Sequence, residues 1–294
     1  MKIIAVSDLH IPKNDAKMPE MIRNINSSDA DVLLLGGDIA PANDMALENF
    51  LKSISGFRGK KMYVAGNHDL WTTDGSSLDR HEKILPMIYR KYGFHSLEKE
   101  PVVYKDIGFA GNIGWFDYSF VRVYSPPNGS KFKRTVKGEP VGQPVSWQEL
   151  TDEDFSTQAI GIMGMLGLKR VTGSNDIEYM HGIGTDKEFC AKLTHKLEED
   201  IKAIEDSVKK IVIVMHCVPF KEGLARDNSA PEVCVRNAYA GSKRLGEVIF
   251  RHPKVSALVW GHVHNRQKFV KGRTQCYNVS FDKTGSENPV KFEV

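Results

Sequence analysis

Five short apolar runs in this chain each end in a side chain that can bind a metal. IIAVSD ends in Asp8, with His10 two residues on. VLLLGGD ends in Asp38. MYVAGNHD carries Asn67 and His68. IVIVMH ends in His216, and ALVWGHVH carries His262 and His264. Each run is rich in Val, Ile and Leu, as a strand buried on both faces must be. In an α/β sheet, ligands collect in the crevice beyond the carboxyl ends of the strands. Residues spread over 257 positions, from Asp8 to His264, can therefore converge on one pocket.

Between the strands the pattern changes to the helical period. A helix follows Asp15, with Met18, Met21, Ile22 and Ile25 on one face. Others cover MALENFLKSI and SLDRHEKILPMIYRKYG, the latter stopped by Gly93. GFAGNIGW reads as a strand leaving the first half. A long amphipathic helix is expected over about 186–209, where Phe189, Leu193, Leu197, Ile201, Ile204 and Val208 form one stripe. A further helix lies around GSKRLGEVIF, and short strands at KFVKG, TQCYNVS and VKFEV follow. From about 112 to 185 the alternation stops. Aromatics cluster in WFDYSF, Pro126 and Pro127 follow, and KFKRTVKG is basic, so this stretch reads as an insertion or cap. The ligand candidates come from both sides of it. A split into two domains would divide the site, so residues 1–294 are read as one catalytic domain.

Composition narrows the function. The net charge of +3 carries no electrostatic footprint for nucleic acid or a membrane surface. No window approaches the length of about 18 apolar residues that a spanning helix needs. Cys190, Cys217, Cys234 and Cys276 form no C-x-x-C pair and read as thiols. With no secretory signal pattern at the start, a cytoplasmic protein is expected.

The candidate donors are Asp8, His10, Asp38, Asn67, His216, His262 and His264. They offer oxygen and imidazole nitrogen but no thiolate, which suits Mn, Fe, Zn or Co. Seven donors exceed what one tetrahedral ion takes. They fit two divalent or mixed-valence ions about 3.5–4 Å apart. A carboxylate can bridge such a pair, because each of its oxygens carries lone pairs. Two divalent ions outweigh the two aspartates, which points to an anionic substrate. The other histidines, His81, His95, His195 and His252, lack ligand spacing and read as structural or solvated; His181 falls in the insertion.

The ordered motifs D-x-H (Asp8 to His10), G-D (Gly37-Asp38), G-N-H-D (Gly66 to Asp69), the lone His216 and G-H-x-H (Gly261 to His264) resemble the calcineurin-like metallophosphoesterase family. That resemblance covers nearly the whole chain outside the insertion. It implies a two-sheet β-sandwich flanked by helices, a four-layer α/β/β/α fold with metals at one edge. It implies that Asp8, His10 and His264 hold one ion, that Asn67, His216 and His262 hold the other, and that Asp38 bridges them. It places His68 towards the substrate, as the group that stabilises the phosphoryl charge or protonates the leaving oxygen. Asp69 would orient His68 or the loop. The expected reaction is hydrolysis of a phosphomonoester or phosphodiester by a metal-bridging hydroxide, on a small substrate.

Trp115 is a candidate to line the pocket beside the leaving group, with packing as its alternative. Asn265 and Arg266, just after His264, are candidate substrate contacts. Two other functions share the fold. A nuclease of the superfamily would carry a further histidine soon after G-D, where this chain reads Ile39-Ala40-Pro41. A non-catalytic interaction module would lose ligands or His68, and this chain keeps all of them.

Overall fold

The computed structural model describes the chain apart from residues 12–14, 137–138, 157–159, 165–166, 171–174, 225–229 and 282–288. Two sheets face each other. The first has five strands in the order Val290–Glu293, Lys2–Val6, Val32–Gly36, Lys60–Val64 and Phe94–Ser96. Its three inner pairings are parallel, and only the Val290–Glu293 edge runs antiparallel. The second has six strands in the order Lys268–Lys271, Thr274–Asn278, Val255–Trp260, Lys210–Met215, Ile107–Asn112 and Val102–Tyr104. Its central pairings are parallel as well.

The apolar runs are continuous because each strand is covered twice. Ile3, Ala5, Val32, Leu34, Met62 and Val64 point between the sheets, where they meet Phe109, Val212, Val214, Ala257 and Val259. The alternate residues Ile4, Val6, Leu33 and Leu35 point outward against helical Met21, Ile25, Leu47 and Leu51. On the far side Ile211, Ile213, Leu258 and Trp260 pack against Leu197, Ile201, Leu245 and Val248. The period of two in a strand sends successive side chains to opposite faces, so three apolar layers separate four layers of structure. This is the α/β/β/α arrangement the motifs imply.

The helices Met18–Asn26, Asp44–Ser53 and Lys243–Arg251 fall where the periodicity predicts them. The long helix runs Asp186–Glu205 and starts at a capping box. Thr185 Oγ1 accepts the Glu188 N–H, and the Glu188 carboxylate accepts the Thr185 N–H. It stops four residues short of the expected end, because the chain must turn before entering the strand Lys210–Met215. The stretch SLDRHEKILPMIYRKYG is helical but not uniform. Its segment Arg80–Ile84 is π-helical ahead of Pro86. Proline brings no N–H, so the ladder changes step there.

Within the insertion, Lys131–Val136, Glu139–Val145, Ile160–Gly164 and Gly167–Arg170 form a separate antiparallel sheet. The short helices Asp152–Ser156 and Asp176–Tyr179 accompany it. All four cysteines are buried and free. No described helix is long and apolar enough to cross a membrane.

Candidate metal centre

Every candidate donor leaves a strand at its carboxyl end, and the two sheets bring those ends to one edge. Asp8 and His10 follow Lys2–Val6, Asp38 follows Val32–Gly36, and Asn67 follows Lys60–Val64. His216 follows Lys210–Met215, and His262 and His264 follow Val255–Trp260.

The backbone is strained where it delivers these side chains. Asp8, His10, Asp38, His262 and His264 all have positive φ, between 48° and 69°. Outside glycine this left-handed conformation costs roughly 1–3 kcal/mol per residue and persists where surrounding structure enforces it. It reverses the chain sharply enough to aim alternate residues of D-x-H and H-x-H into one space. Two glycines make room. A Cβ on Gly66 would lie 2.1 Å from Asp38 Oδ1, and one on Gly261 would lie 2.3 Å from Asp8 Oδ2.

The donor atoms form two adjoining groups. In the first, His10 Nε2 and His264 Nε2 are 3.0 Å apart, and His264 Nε2 is 3.4 Å from Asp8 Oδ1. In the second, Asn67 Oδ1 is 3.0 Å from His216 Nε2 and 3.1 Å from His262 Nδ1, and those nitrogens are 3.2 Å apart. Asp38 stands between the groups. Its Oδ2 is 3.4 Å from His216 Nε2 and 3.7 Å from His10 Nε2. Four ligands placed tetrahedrally about 2.0–2.1 Å from an ion stand roughly 3.3 Å from one another. The spacings and the nitrogen and oxygen donors fit divalent ions. His10, Asp38 and His68 also lie within reach of a common ion.

The two oxygens of Asp38 have different neighbours. Oδ1 accepts the His68 N–H at 2.9 Å. Oδ2 is the oxygen near His216 and His10.

Surrounding hydrogen bonds hold the donors in place. The Asp8 carboxylate accepts from the hydroxyls of Ser7 and Ser280 and from the His262 N–H. His216 Nδ1 meets Gly36 O at 2.9 Å, and His262 Nε2 meets Tyr239 O at 3.0 Å. A carbonyl can only accept, so each ring, once neutral, presents its other nitrogen as the lone pair. Hence His262 offers Nδ1 whereas His216 offers Nε2.

The site's charges pull its groups apart. Burial works against ionisation of Asp38, but His216, His68 and His10 outweigh it and hold the carboxyl far below its usual range. Burial likewise opposes charge on His216, yet Asp38 and Asp8 raise it to about 10. Burial lowers His10 to about 4 in spite of the same two carboxylates. For Asp8, burial is outweighed by His264 and His216, which hold it at about 2. Nitrogen must lose its proton before it binds a metal, so loading such a site releases protons.

Asp69 has the opposite environment. Burial and the neighbouring Asp38 raise it to about 6. Its Oδ2 accepts from Asp38 N and Gly66 N, and its Oδ1 from Ile39 N and Ala40 N. Those four bonds join the G-D loop to the G-N-H-D loop. Of its two expected tasks, Asp69 thus performs the holding of the loop. The His68 ring rests instead on Trp71, centroid to centroid 3.7 Å, with 30% of its side chain exposed beside the donors.

The candidate substrate contacts divide. Asn265 is exposed and Arg266 half-buried, next to exposed His264 at the rim. Trp115 is 0% exposed. It stacks on Phe116 and its Nε1–H donates to Asp186 Oδ1 at 2.7 Å. A ring with no free face cannot meet a leaving group, so the packing alternative describes its place. Sequence reading missed Trp71, Asp176, Ser7 and Ser280. Trp71 alone carried a signal, two residues beyond G-N-H-D. The histidines outside the motifs stay outside the centre: His81 faces Glu98, and His252 faces Glu205.

A calcineurin-like phosphoesterase family model matches residues 1–266. The chain belongs to that family. It is similar to a phosphopantetheinyl hydrolase from Mycobacterium tuberculosis, with 18% identity, 95% of this chain and 89% of that chain covered, and a TM-score of 0.66. It is also similar to a dimetal phosphatase from Danio rerio, with 11% identity, 94% and 86% covered, and a TM-score of 0.51. At such identities the likeness is one of fold. No curated protein matches the chain. Family membership makes it a phosphoesterase, with groups at the sheet edge that could hold a metal.

Proposed function

We propose that this phosphoesterase hydrolyses a small phosphomonoester or phosphodiester at a two-ion centre. Asp8, His10 and His264 hold one ion, Asn67, His216 and His262 the other, and Asp38 joins them. The observation that carries this reading is the meeting of seven donors from five strand ends, with Asp38 Oδ2 between the two groups. When bound, the ions supply a nucleophilic water at neutral pH and positive charge for the phosphoryl oxygens.

The chain's own residues do the rest. His68 Nε2 lies 3.8 Å from Asp38 Oδ2, on the open side of the donors. There it stabilises the phosphoryl charge and hands a proton to the departing oxygen. Trp71 keeps the ring in that place. Asn265 and Arg266 at the rim meet the remainder of the ester. Residues 1–294 act as one catalytic unit, with the segment at about 112–185 as its cap.

The test is activity profiling of protein reconstituted with Mn, Fe, Zn or Co against monoester and diester panels, alongside elemental analysis. Two equivalents per chain and turnover of at least one ester class are expected. A fully loaded sample with one ion per chain would defeat the two-ion centre. Loaded protein inert on every ester would favour an interaction module.

A further inference from the structure

The insertion and the donor cluster meet at one carboxylate. Asp176 opens the short helix Asp176–Tyr179 and is buried. Its Oδ1 accepts the Asn67 Nδ2–H at 2.8 Å and the Trp71 Nε1–H at 2.7 Å. An ionised carboxylate only accepts, so the amide must turn its nitrogen towards Asp176. That leaves Asn67 Oδ1 facing His216 and His262. Turned by half a rotation, the amide would present an NH2 group, which has no lone pair for a metal. The second bond fixes Trp71, the ring on which His68 lies.

The attachment continues beyond that contact. Tyr179 stacks on Trp71 at 5.0 Å, and its carbonyl accepts the Thr72 N–H at 3.0 Å. The His181 carbonyl accepts the Ser77 N–H, while the His181 N–H donates to Ser77 Oγ. The segment that the motifs leave out therefore grips the loop after G-N-H-D from Trp71 to Ser77.

We infer that Asp176 is a positioning residue of the centre. From the insertion it sets the Asn67 oxygen towards one ion and holds Trp71 beneath His68. The inference rests on the two-ion reading above. A carboxylate that merely docked the insertion would leave metal affinity alone. One that acted only by its charge would be replaced by no neutral residue.

Calorimetric titration of the full chain with Mn2+ separates these roles, using wild type, Asp176→Ala and Asp176→Asn. In Asp176→Ala one equivalent should weaken about 10–100-fold, the usual cost of losing a partner behind a ligand. The other equivalent should keep its affinity. Asp176→Asn retains an acceptor oxygen and should stay close to wild type. If Asp176→Ala does not fold, Asp176→Leu fills the volume without an acceptor, and the same one-sided loss is expected. Unchanged affinities, equal weakening of both equivalents, or an Asn variant as impaired as the Ala variant would each overturn the inference while leaving two ions in the wild type. A wild-type chain that takes up fewer than two ions would sink the underlying reading as well.

Discussion

His68 lies against Trp71, close enough to the donors to act on a phosphoryl group and open enough to meet one. Its ring is not needed to complete either donor group. His68→Ala should therefore keep both ions and lose turnover by about 10²–10⁴-fold. An activated aryl leaving group needs little protonation and should suffer less. Full activity of the variant on poor leaving groups would remove His68 from the chemistry. Asp69 predicts a different signature. Asp69→Ala leaves four N–H groups buried and unpaired, at about 3 kcal/mol or more. Thermal melting should show that loss before any substrate is added. Trp115 belongs with Asp69. Trp115→Ala should cost about 3–5 kcal/mol as a buried aromatic truncation. It should lower kcat/KM uniformly across esters, and a change in substrate ranking would return Trp115 to the pocket wall.

Among the elements, the insertion contains an acid-dependent tie. Asp154 accepts from Arg134 at 2.6 Å and from Thr151 N at 2.8 Å, so one carboxylate ties the strand Lys131–Val136 to the helix Asp152–Ser156. Burial opposes its charge, but Arg134 and Thr151 outweigh burial and hold its pKa below the usual value. A lowered folded pKa contributes stability that is fully present above the unfolded value, near 4, and fades as pH falls through the folded one. Arg134 is partly exposed, and screening limits the contribution to roughly 1 kcal/mol. Asp154→Asn should be cleaved faster within the insertion by a protease at neutral pH. Towards pH 3 wild type and variant should converge, and a gap that stayed constant would show that the carboxylate's charge is irrelevant.

For the whole molecule, the centre joins both sheets, so ions bound there hold the two halves together. A ligand at a hundred times its dissociation constant stabilises the folded state by about 2.7 kcal/mol. A chelator should lower the melting temperature by several degrees, and Asp38→Ala should abolish that difference because it touches both groups. Much of this was legible from the chain. A strand buried on both faces must be apolar throughout, so the runs IIAVSD, VLLLGG and IVIVMH declared both the sheets and the layers that cover them. The candidate donors could be picked out because metal chemistry restricts residue types and a strand end restricts their position, and the fold brings them to one edge. The tertiary structure alone decided the rest. Nothing local distinguishes Trp115, sealed by Phe116 and Asp186, from an aromatic wall, since burial depends on what packs from elsewhere. The choice of Nδ1 in His262 is made by Tyr239, and one oxygen of Asp38 takes up the His68 N–H. Asp176 lies 109 residues from the amide it turns, in a segment with no motif. Hydrogen bonds act through space, and sequence shows only the partners that happen to be neighbours along the chain.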